Sequence, residues 1–184
     1  APAAWTHLLE AEQTHLFRYR SHAQTQAPGA GESSGVELAC TAAFEVHALP
    51  AAGPDAPALA VSLTLREPTV YHFKRARGSS SSQQPPVSDE YAEQLTRFPL
   101  LFTITASGAV ADIRCADTET VWATNIKRGI VSLLQSTRPA HLAGAALQPD
   151  TAFDTQEHDV AGTCTARHQV RAALIVFIIY NNKK

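Results

Sequence analysis

The segment Val121–Gln135, VWATNIKRGIVSLLQ, puts large apolar side chains around most of a helix in a chain that otherwise alternates like β-strands. Trp122, Ile126, Ile130 and Leu133 form one stripe, while Val121, Val131 and Leu134 lie off it. The spacing predicts a helix over 120–135, with Asp117 or Thr118 as N-cap and Glu119 in the first turn. Gly129 costs about 1 kcal/mol against alanine in a helix interior. Burying the large side chains contributes on the order of 10 kcal/mol gross, so burial wins. The glycine then reads as a point where a neighbouring backbone comes close. So wide an apolar arc needs walls on most sides.

The rest of the chain supplies strands for those walls. In GVELACTAAFEVHAL, Val36, Leu38, Cys40, Ala42, Phe44 and Val46 fall on one parity, and Glu37, Thr41, Glu45 and His47 on the other. Period two over that length predicts a long strand with one buried face. LAVSLTLR repeats the pattern with Leu59, Val61, Leu63 and Leu65, and LFRYR does so with Phe17 and Tyr19. FPLLFTITASGAVADIRC reads as a hairpin turning at Ser107-Gly108, and DVAGTCTARHQV as a further strand with Val160, Cys164 and Val170 inward.

The connections carry turn chemistry. PAAGPDAP is a loop, and residues 76–90 read as a mobile low-complexity loop. Lys74, Arg75 and Arg77 sit at its entrance as a candidate anion or partner contact, or as an ordinary solvated flank. DEYAEQLTRF predicts a short helix, and residues 136–150 an irregular connection.

Short strands with turn-rich gaps and one apolar helix point to a mainly β fold. The expectation is a single domain over 1–184, an antiparallel β-barrel wrapped around a central α-helix. Lys127 and Arg128 must then reach the barrel mouth, bury only their stems, or pair with a carboxylate inside. The other architecture is an amphipathic helix covering one open face of a sandwich.

The 184 residues carry a formal net charge of -2, so no electrostatic signal points to nucleic acid. No apolar run approaches the ~20 residues of a spanning helix. The start, APAAWTHLLE, has neither the basic nor the apolar region of an intact signal peptide, and is compatible with what remains after one is removed. Of the 3 cysteines, Cys40, Cys115 and Cys164, at least one is unpaired within the chain. They read either as reduced thiols or as one disulfide with an orphan.

Catalytic and metal signatures are missing. His7, Glu10 and His15 lack metal-ligand spacing, and His-Glu-x-x-His and Gly-x-Ser-x-Gly do not occur. GAGESSG lacks the lysine of a phosphate loop. The expectation is no enzyme and no cofactor.

NIKRGIVSLLQ, carrying Asn125, Ile126, Lys127, Arg128, Gly129, Ile130, Leu133 and Leu134, closely resembles the helix of the large lipid transfer proteins. These are vitellogenin, apolipoprotein B and the microsomal triglyceride transfer protein. FRYRSHAQT, GVELACTAAFEV, YAEQLTRFPLLFTITASGAVADI and DVAGTCTARHQV resemble the family's flanking segments in the same order over roughly residues 14–171. The resemblance implies an N-terminal β-barrel around a central helix, Trp122 included. It also implies secretion or an endoplasmic-reticulum lumen, disulfides, and lipid or lipoprotein carriage in a larger protein. The barrel's own implied role is contact with a protein partner or receptor.

The chain departs from the family at its cysteines. The cysteine that usually follows the Cys40 strand is missing, as is the partner expected after Cys164, and Cys115 has no clear counterpart. A Cys40–Cys115 bridge is one pairing this leaves open. The tail over 172–184 is atypical, and suggests a truncated isoform, a fragment or a spurious end. Its segment LIVFIIY reads as a buried strand or as an exposed β-prone stretch. Two other functions compete with the lipid-carrier module: a free-standing small barrel that binds an apolar ligand, and an interaction domain with no lipid role.

Overall fold

A computed structural model gives the fold. It describes residues 9–26, 32–50, 52–53, 55–76, 82–86, 89–135, 139, 142, 150–159, 162–171 and 174–178, with the backbone alone at 26, 32, 74–76, 82–86, 158–159, 170–171 and 174–178. Strands β1 (Gln13–Gln26), β2 (Glu32–Ala48), β3 (Pro57–Ala76), β4 (Ser82–Pro86), β5 (Leu100–Thr105) and β6 (Val110–Arg114) make one sheet. Its order is β1-β2-β3-β5-β6, with β4 also on β3, and every pairing is antiparallel. Strands β7 (Ala152–Asp159), β8 (Gly162–Arg171) and β9 (Leu174–Ile178) make a second antiparallel sheet. The helices are α1 (Asp89–Thr96) and α2 (Val121–Ser132).

The period-two pattern sets the core. Leu38, Cys40, Ala42, Phe44 and Val46 on β2 are buried beside Leu59, Val61, Leu63 and Leu65 on β3 and Leu100, Phe102 and Ile104 on β5. The Phe44 ring meets Phe17 and Phe102 edge-on, with centroids 5.7 and 6.4 Å away. Leu9, Leu95 from α1, and Ala123, Ile130 and Val131 from α2 complete this apolar cluster. The predicted hairpin is present: Gly108 takes φ 91°, and Thr105 ties both sides of the turn.

The ladder shifts register in four pairings of the large sheet, and two of these shifts carry residues at positive φ. Ala39 faces Thr69 and Thr41 faces Arg66, so Glu67 and Pro68 together oppose Cys40. The extra residue accounts for Glu67 at φ 50° and gives Pro68 a place in a long inner strand without breaking a regular ladder. Asp112 does the same on β6, at φ 50°, with its carboxylate accepting from the Thr103 hydroxyl at 3.3 Å.

Several expectations change. The two sheets do not close into a barrel among the described residues. The loop expected over 76–90 contains β4 and the start of α1. Backbone pairing of Ser82 and Gln83 with Lys74 and Phe73 needs no apolar side chains, and an outer strand tolerates Pro85 and Pro86. Lys74 and Arg75 therefore sit at the end of β3 instead of in a loop. Arg77, His7 and most of the connection over 136–150 lie outside the described residues. LIVFIIY contributes β9, paired with β8.

Gly35 occupies a place only glycine fits. A Cβ there would collide with the Ala23 carbonyl oxygen on β1 and the Phe73 ring on β3. That ring stacks on His22 at 4.5 Å. Gly35→Ala is expected to destabilise the fold by about 1–3 kcal/mol, read as a lower denaturant midpoint at unchanged slope; an unchanged midpoint would refute the close approach.

The first strand is clasped at its start. Glu12, at φ 60°, donates its N–H to the Val46 carbonyl at 2.7 Å and accepts the Ala48 N–H at 3.0 Å. That backbone N–H, followed by His47, holds the Glu12 carboxyl below its ordinary 4.5. A depressed carboxyl stabilises the fold above its unfolded value and loses that contribution as pH falls through the folded one. The difference in thermal midpoint between the native chain and Glu12→Gln should therefore be present at pH 7 and shrink below about pH 4.5. A difference independent of pH would contradict the clasp.

Candidate functional site

Helix α2 carries the residues singled out in the sequence, and its stripe is rotated from the one predicted. Ala123, Lys127, Ile130 and Val131 are buried, with Trp122, Ile126 and Leu134 packed half-buried beside them. Leu133 lies just past the helix and is 47% exposed, and Val121 is 76% exposed. Asn125 and Arg128 are exposed too. Nothing stands within 4 Å of a Cβ built on Gly129, so the close approach expected there is absent among the described residues. The helix joins the core of the large sheet through this one stripe, and it also contacts β7 of the second sheet.

Lys127 stands in the middle of that stripe with 0% exposure. Of its three expected fates, the third holds: its ammonium donates to Glu119 Oε1 and to the Phe98 carbonyl oxygen, the latter at 2.5 Å. A buried ion pair gains little net energy but is strongly destabilising when one partner is removed. It fixes α2 against the entry to β5. The same pull explains the helix start. Glu119 leaves the first turn to meet Lys127, and Thr120 becomes the N-cap without a side-chain capping bond.

A second contact joins the helices. Trp122 Nε1 donates to Gln94 Oε1 at 2.8 Å, and the Thr120 hydroxyl reaches the same oxygen at 3.3 Å. Gln94 in turn donates to Glu90 at 3.4 Å. The Tyr91 and Trp122 rings meet edge-on at 5.4 Å.

The second sheet holds a polar cluster that sequence reading missed. His168 Nε2 lies 2.8 Å from Glu157 Oε1 and 3.1 Å from Thr155 Oγ1, all three residues buried, with the Phe153 ring stacked on the imidazole at 5.0 Å. The hydroxyl and the carboxylate share one ring nitrogen. A nucleophile relay places them on opposite nitrogens, so the cluster reads as satisfied core polarity. β7 escaped notice because Thr155 and Glu157 occupy its buried positions and hide the period.

Cys40 is a buried thiol, pushed up to about 11 by burial, and Cys115 is a half-buried thiol packed against the core. Cys164 is half-buried on β8 opposite Glu157. No metal-ligand cluster and no helix long and apolar enough to cross a membrane occur among the described residues.

Residues 9–180 match the family described as the vitellogenin N-terminal domain. The fold superposes on a solved structure described as lipid-protein interactions in lipovitellin, with a TM-score of 0.66 and 21% identity over 89% of this chain. The match spans 15% of that lipovitellin chain. None of the curated proteins matches.

Proposed function

Because the chain belongs to the vitellogenin N-terminal domain family, we propose that it is a non-catalytic module of a secreted lipid carrier and acts through protein contacts. The observation that carries this reading is the filled space between α2 and the large sheet. Leu63, Leu65, Leu100, Ile104 and Val131 are fully buried in one apolar cluster shared by β3, β5 and α2. An interior occupied by side chains does not favour the small-barrel alternative, which needs a chamber for an apolar ligand. Lipid carriage then belongs to the longer protein, and this module supplies surfaces. Lys74, Arg75 and Arg77 are proposed as one such surface, for an anionic partner.

Two measurements test this reading. Solvent extraction and mass spectrometry of the purified chain should find no stoichiometric lipid; a tightly bound equivalent would overturn it. Replacing Lys74, Arg75 and Arg77 by glutamine should leave the thermal midpoint within about 2 °C, the shift that roughly 0.5 kcal/mol gives in a chain of this size. The same change should weaken capture of an anionic secretory-pathway partner.

A further inference from the structure

The outward face of the large sheet carries two arginines that pair with nothing among the described residues. Leu38, Cys40, Ala42 and Phe44 turn one side of β2 into the core, so Thr41 points the other way. Arg18 on β1 and Arg66 on β3 stand directly opposite Thr41 on either side, in one row across three strands. Residues opposite one another in antiparallel strands share a face, and both arginines are exposed. Neither makes an ion pair or a hydrogen bond among the described residues. Two strand spacings separate their Cα atoms by about 10 Å, a gap that two arginine side chains close from both ends. The floor between them is low. Ala39 and Ala43 flank Thr41 on the same face of β2, and Ala43 is 2% exposed. Leu16, in register with Ala43, is 59% exposed beside this floor.

The carboxylates nearby leave the two guanidinium groups free. Glu37 is held by Arg20, and Glu45 lies beside His47 at 3.6 Å. Glu67 follows Arg66 in the bulge and is exposed, without an ion pair to it. These acids offset Arg18, Arg20 and Arg66 over the wider face, so it holds no field for a polyanion or an anionic membrane. A single doubly charged group fits it instead. Two planar forks supply more N–H donors than one carboxylate can accept. The three oxygens of a phosphate monoester take both forks and the hydroxyl between them.

We propose that Arg18, Thr41 and Arg66 bind a phosphorylated side chain of a partner protein, with the phosphate seated over Thr41 and an apolar neighbour in the partner resting on Leu16. The inference rests on the contact reading above and uses residues distinct from Lys74, Arg75 and Arg77, so either surface can fail alone.

Calorimetric titration of the full chain with a short peptide holding one phosphoserine beside a leucine should give saturable binding. It should be about ten-fold tighter, or more, than binding of the unphosphorylated peptide. Arg18→Gln and Arg66→Gln should each raise Kd about ten-fold with thermal midpoints unchanged, and Thr41→Val should raise it several-fold. Glutamine in place of Lys74, Arg75 and Arg77 should leave this Kd as it is. Vesicles containing phosphatidic acid carry the same monoester on a lipid and should not bind. No phosphate-dependent binding, or binding that survives both arginine changes, would overturn the proposal. So would vesicle capture that needs the two arginines, which would assign the site to a lipid headgroup, or loss of binding in the Lys74, Arg75 and Arg77 variant, which would move the phosphate to that surface.

Discussion

Glu119→Ala is expected to lower the stability of the fold by about 3–5 kcal/mol, because it leaves the Lys127 ammonium buried without its counter-charge. For a chain of this size that is a fall of about 10 °C or more in thermal midpoint. The double change Glu119→Leu with Lys127→Met removes both charges and keeps most of the volume. It should recover most of the loss, since replacing a buried pair by apolar groups is often neutral or better. Thermal unfolding of Glu119→Leu, Lys127→Met and the double variant forms a mutant cycle. A double variant no better than the sum of the singles would show that the pair does not act as a unit.

Ile130→Asp should be still more damaging. It removes an isoleucine that is 4% exposed and inserts a carboxylate with no partner in the apolar cluster. The expected loss exceeds about 4 kcal/mol. Leu133→Asp is the informative companion. Leu133 belongs to the stripe that sequence periodicity picks out, yet it is half exposed beyond the helix end. Its replacement should cost only about 1–2 kcal/mol, from half a leucine's burial and a negative charge at the helix C-terminus. Equal damage from both would mean that α2 is enclosed on both sides. An undamaged Ile130→Asp would put Ile130 in contact with solvent.

These two positions show how far the sequence could be read. Leu38 through Val46, Leu59 through Leu65 and the Ser107-Gly108 hairpin were legible because alternation and turn chemistry are local. The buried face of β7 was not, because Thr155 and Glu157 are satisfied by His168 from the neighbouring strand, a partner that local patterning cannot reveal. Lys127 was legible only as a problem. A lysine central to the stripe Ala123–Lys127–Ile130–Leu134 demands a partner, but that partner lies before the helix at Glu119 and in the backbone at Phe98.

The sequence by itself determined a mainly β chain, the position of its one apolar helix, the hairpin and, through NIKRG and its flanks, the family. Only the tertiary structure decided which side of α2 is buried and how Lys127 is neutralised. It also decided that Lys74 and Arg75 extend a strand. The physical reason is the range of the forces. Backbone geometry and side-chain period act over a few residues. Desolvation of a charge and closure of a sheet depend on which distant segments meet.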